Sequence, residues 1–143
     1  MTTYAVQQDL EDYFGSSELL IAADRDGDGE ADEGVVASGL NSATAEINSY
    51  LAVRYDIPLA ETPEVLTRVC CDLAMYHMSV GSPSMTEDKE TRYNNCIKWL
   101  RDVSKGVASL GAAEAQVEVQ DEATVSSSSE ERLFSRTKMQ GLL

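Results

Sequence analysis

The sequence predicts an all-α protein: a small bundle of four to five helices over residues 1–111, followed by an extended C-terminal arm over 112–143. Three observations carry that expectation. Apolar residues recur at three- and four-residue steps through most of the first 111 positions, and helix start and stop signals separate these runs. Strand-like alternation of apolar and polar residues is confined to the segment after Gly111. At 143 residues the chain has the length of one domain, enough for a core without disulfide or metal support.

Thr3 is a candidate cap for a first helix running to about Phe14, with Val6, Leu10, Tyr13 and Phe14 on one side and Gly15 as its stop. Ser16 or Ser17 starts a second short helix carrying Leu19, Leu20 and Ala23. Val36, Leu40, Ala43, Ile47 and Leu51 then mark a long amphipathic helix that ends near Tyr55, broken by Asp56-Ile57-Pro58. Thr62-Pro63-Glu64 is a complete start signal: an N-cap, a proline where no N–H is needed, and an acid at the positive end of the helix dipole. The helix from Pro63 to about Val80 is apolar nearly all round, which places it at the centre of a bundle or against another subunit. Gly81-Ser82-Pro83-Ser84 ends it. Thr86-Glu87-Asp88 opens the last helix, whose stripe is Tyr93, Cys96, Ile97, Leu100 and Val107, closed by Gly106 or Gly111.

In the arm, Val117 and Val119 alternate with polar residues as in short β strands, and Ser126 to Ser129 form a flexible joint. The ending RLFSRTKMQGLL is too apolar for a solvated tail. It is expected to reach a neighbouring molecule through Arg132, Leu133, Phe134, Arg136 and Met139, the alternative being that it folds back on its own bundle or is disordered. Trp99, off the apolar stripe of its helix, is a further candidate contact.

Charge excludes one class of function. With 11 basic and 25 acidic residues the net charge is −14, which argues against ordinary binding to a phosphate backbone. The acid is concentrated at the front, where residues 1–33 hold ten acids and the single base Arg25, whereas residues 132–143 hold three bases and no acid. Cys70, Cys71 and Cys96 fit neither a disulfide framework nor a zinc pattern, and read as buried apolar groups in a protein made in a reducing cytoplasm. The opening residues lack the marks of a signal peptide, and no run is long enough to span a membrane.

Between Asp24 and Val36 the chain reads DRDGDGEADEGVV. Asp24, Asp26 and Asp28 at alternate positions can turn their carboxylates toward one point, Gly29 allows a sharp turn, Glu30 offers a backbone carbonyl, and Asp32 reaches the same centre directly or through water. An EF-hand needs a bidentate glutamate at loop position twelve, which here is Val35. The loop is thus expected to hold a divalent ion, Ca²⁺, as a structural clip with an affinity of about 10⁻⁴ M or tighter. Without a metal, Asp32 would instead cap the following helix. No catalytic constellation stands out. His77 is the only histidine and is expected to be packed or half-exposed, so no enzymatic activity is expected.

Four segments, LEDYFGSSELLIAADRDGDGEADEGVV, AEINSYLAVRYDIPLAETPEVLTRVCCDLAMYHM, YNNCIKWLRDVSKGVASLG and RLFSRTKMQGLL, together resemble one family. It is the small Mu-like phage and prophage protein encoded among the head and tail genes, a head–tail adaptor (connector). The resemblance implies an all-α core and a homo-oligomeric ring, commonly a dodecamer, between the portal protein and the tail terminator or stopper proteins at the virion neck. It implies DNA only as passing cargo and no membrane partner. A free Ca²⁺-binding regulatory module using the 24–32 loop is the competing expectation from the residues themselves.

Overall fold

A computed structural model describes residues 2–111, which form five helices: α1 (Gln7–Phe14), α2 (Ser16–Ala23), α3 (Glu33–Leu51), α4 (Glu64–Ser79) and α5 (Glu87–Ser104). No strand occurs among the described residues. The expected arm, with its short strands at Val117 and Val119, lies outside them.

The apolar character of α4 determines the architecture. Leu66, Val69, Cys70, Cys71, Leu73, Ala74, Met75 and Met78 are all buried, and α4 packs against each of the other four helices. Its largest interface is with α3, where Gly39 faces Met78. A β-carbon on Gly39 would lie 2.7 Å from Met78 Cγ and 3.3 Å from the Ala74 carbonyl oxygen, so the missing side chain sets how closely these helices approach. From α5, Cys96, Ile97, Leu100 and Val103 complete the same core.

The ends of several helices differ from the expectation. α1 begins at Gln7, not after Thr3, whose hydroxyl bonds the Ala5 carbonyl oxygen; the first turn is closed instead by Asp9, whose carboxylate accepts the Val6 N–H at 2.8 Å. Tyr4 and Ala5 thereby become extended core residues, and Val6 and Tyr13 are left exposed. α2 starts from Gly15 rather than from a serine cap. α3 stops at Leu51, and Tyr55 folds back so that it is buried in the turn after the helix. α4 is capped by Pro63 rather than Thr62, while Thr86 caps α5 as expected by accepting the Lys89 N–H. Val107 comes after the helix end at Ser104 and the turn at Gly106 and is exposed; Val103 occupies the place expected for it.

No helix among the described residues is long and apolar enough to cross a membrane.

Candidate functional site

The acidic loop is the bridge between α2 and α3, and its two ends are tied together. The Asp32 N–H donates to the Ala23 carbonyl oxygen at 3.0 Å, and Asp32 Oδ2 accepts the Arg25 N–H at 2.8 Å. Inside this closure the carboxylate of Asp24 accepts from the N–H groups of Gly27 (2.7 Å) and Gly29 (3.0 Å), Asp26 Oδ1 from Asp28 (3.0 Å), and Asp28 Oδ1 from Glu30 (2.9 Å). Gly29 has φ 91°, the conformation that a residue with a side chain rarely adopts.

Of the five expected ligands, Asp24, Asp26 and Asp28 come together, with one carboxylate oxygen of each within 4.8 Å of the others. Glu30 and Asp32 are not in that group. Asp32 stands at the N-cap of α3 but makes no side-chain capping bond, because its carboxylate holds the Arg25 N–H. The backbone N–H of Gly29, with others from the loop, keeps the Asp24 carboxyl below its ordinary range. At Asp26 the Asp28 N–H acts in the same direction, but desolvation and the charges of Asp28 and Asp32 outweigh it and leave this carboxyl raised. Three hard oxygen donors converging in this way fit part of the shell of a Ca²⁺ ion, with carbonyl and water oxygens needed for the rest.

Arg25, the one base of this front segment, points away from the acids. Its Nη2 donates to the Met78 carbonyl oxygen at 2.8 Å, fixing the loop to the C-terminal turn of α4. Beside the loop, α1 and α2 border an open groove of about 780 Å³ whose charged lining, Glu11, Asp28, Glu30, Asp32 and Glu33, is entirely acidic.

Trp99 is half-buried and lines a second groove, of about 510 Å³, between α4 and α5 with Val65, Arg68, Asp72 and Arg92. Burial pushes the Asp72 carboxyl up, against the opposing pull of the Cys96 thiol and Arg92. All three cysteines are free and buried, and burial drives the thiols of Cys71 and Cys96 up to about 12. The other expected contact residues, Arg132, Leu133, Phe134, Arg136 and Met139, lie outside the described residues.

Two polar clusters had no signature in the sequence. Glu46 on α3 bonds His77 of α4 (2.7 Å) through one oxygen and the Tyr93 hydroxyl of α5 (2.7 Å) through the other, while Tyr93 stacks on Tyr76 at 3.9 Å. His77 is thus half-buried in a tie between three helices, and the one hydrogen bond of its ring among the described residues is to Glu46. Lys89 is 6% exposed, and its Nζ donates to the Ser84 carbonyl oxygen (2.8 Å) and Ser79 Oγ (3.1 Å). Each partner set spans separate elements, which spacing along one helix does not reveal.

Comparison with known proteins matches residues 4–129 to the family model described as bacteriophage Mu, Gp36. The chain is 31% identical to gene product J of Escherichia phage Mu over 109 residues, 76% of each chain. It is 35% identical to the Mu-like prophage FluMu protein gp36 of Haemophilus influenzae over 91 residues, 64% of this chain and 63% of that one. With most of its length matched, this chain belongs to the bacteriophage Mu Gp36 family.

Proposed function

We propose that this phage protein is a structural, non-catalytic component of the virion: a head–tail adaptor that forms a ring between the portal and the tail-terminating proteins, with DNA passing through it. The observation that carries the reading is the uneven distribution of charge on a Mu-family helical bundle. Ten acids against one base occupy residues 1–33, and the remaining bases lie elsewhere in the chain. A heterologous ring needs two unlike faces on each subunit, which such a distribution supplies. A net charge of −14 also suits a channel that must let DNA pass without holding it, because like charge repels the phosphates.

In this reading Leu133, Phe134, Arg136 and Met139 dock on a portal or neighbouring adaptor subunit, and Trp99 adds to a subunit contact. The 24–32 loop holds Ca²⁺ as a clip that fixes how α2 meets α3. Complementation of phage lacking the gene tests the docking role. A chain ending at Ser129 should accumulate folded yet leave filled heads without tails, whereas restored plaque formation would refute it. The convergence of Asp24, Asp26 and Asp28 favours, as second reading, a free Ca²⁺-binding regulatory module. That reading requires chelation to change partner binding in solution and the C-terminal segment to be dispensable.

A further inference from the structure

The outer face of α5 carries Lys98 and Arg101, and Lys105 follows at its C-cap in helical backbone conformation, so that the three, spaced at three and four residues, form one stripe over the end of the helix. All three are exposed, and none makes an ion pair among the described residues. The groove between α1, α2 and the loop presents the opposite case. Glu11, Asp28, Glu30, Asp32 and Glu33 line it without a base, and none of them is ion-paired among the described residues.

The two surfaces do not neutralise one another within a subunit. The α1–α2 pair reaches α5 near its N-terminal end, where Glu18 approaches Lys89 at 3.8 Å and the Arg92 guanidinium lies 5.6 Å from the centre of the Phe14 ring. Lys98 lies nine residues beyond Lys89, about 14 Å further along the helix. Two complementary surfaces on different parts of one molecule generate a head-to-tail contact between copies.

We propose that the acidic groove between α1, α2 and the 24–32 loop receives the Lys98–Arg101–Lys105 stripe of a second copy of this chain, and that this pairing is the repeating contact of the assembly. The inference rests on the ring reading of the proposed function and names the two faces that build it. Leu20 in the groove offers an apolar floor for the long lysine and arginine stems. The geometry and the low-salt attraction of such surfaces make the contact sensitive to ionic strength.

Charge exchange on the full-length chain tests it. One variant carries Lys98→Glu, Arg101→Glu and Lys105→Glu; the other carries Glu11→Lys, Glu30→Lys and Glu33→Lys, leaving Asp24, Asp26 and Asp28 untouched. Sedimentation velocity at low salt should show each variant self-associating at least about tenfold more weakly than the natural chain, and an equimolar mixture should restore assembly. Far-ultraviolet circular dichroism confirms that both fold, and the neutral set Lys98→Gln, Arg101→Gln and Lys105→Gln should give an intermediate loss. Undiminished assembly of the separate variants, or a mixture that stays dissociated, overturns the proposal. So does a natural chain that remains monomeric at every concentration. If instead Arg132→Glu, Arg136→Glu and Lys138→Glu abolish association while the α5 variant retains it, the arm is the occupant and the proposal falls. Failure here with the protein still present in virions refutes only the choice of faces, whereas absence from virions refutes the adaptor reading.

Discussion

Replacing Lys89 with methionine should destabilise the bundle by about 1–3 kcal/mol, a figure assembled from its contacts. The ammonium gives hydrogen bonds to the Ser84 carbonyl oxygen and to Ser79 Oγ, joining α5 to the end of α4 and the intervening turn. Hydrogen bonds from a charged donor contribute roughly 1.5–3 kcal/mol each. Against them stands the cost of burying an ammonium, several kcal/mol, which methionine removes. Glu18, half-exposed and 3.8 Å away, adds less than about 1 kcal/mol because solvent screens it. Methionine keeps the stem packed and the helix propensity nearly unchanged, so the net loss reports the polar contacts less the burial cost of the ammonium. Lys89→Ala also removes the packing of the stem and should cost about 2 kcal/mol more. Urea unfolding monitored by circular dichroism measures both, with a lowered midpoint at constant slope as the expected result. A methionine variant as stable as the natural chain would refute the reasoning, since the buried cation would then contribute nothing to holding α5 against the end of α4.

Leu73, fully buried on the central helix, should cost about 2–5 kcal/mol when cut to alanine, measured by the same unfolding assay; a loss below about 1 kcal/mol would mean α4 is not the centre of the core. Stability should fall as pH rises above about 9, because thiols ionise there in the unfolded chain while those of Cys71 and Cys96, raised to about 12, stay protonated in the fold. The slope is roughly 1 kcal/mol per pH unit per thiol, and Cys71→Ala with Cys96→Ala should reduce it, leaving the part due to Cys70, whose thiol burial also pushes up. About 10 mM Ca²⁺, roughly a hundred times a dissociation constant of about 10⁻⁴ M, should stabilise the chain by roughly 2–3 kcal/mol in thermal unfolding, and Asp26→Asn with Asp28→Asn should abolish the effect; an unchanged melting temperature in the natural chain would remove calcium from the account.

The sequence made the helices legible where periodicity and punctuation agree. Val36 to Leu51 and the apolar run of α4 are buried as their spacing requires, and Thr86 caps α5. Legibility failed at the ends and between elements. Thr3 satisfies Ala5 locally, so Asp9 closes the first turn instead, and the bend at Gly106 takes Val107 out of the stripe. The convergence of Asp24, Asp26 and Asp28 arises from their alternation around Gly27 and Gly29, whereas the use of Asp32 by the Arg25 N–H depends on how α2 and α3 close the loop. Glu46, His77 and Tyr93 come from three helices, so no local pattern could join them.

Quantitative mass spectrometry of purified phage particles and of tail-less filled heads tests the central claim most directly. The adaptor reading predicts peptides of this chain in particles at a fixed ratio to the portal protein, near one copy per portal subunit. Their absence from particles would contradict it and leave the loop as the place to look for function.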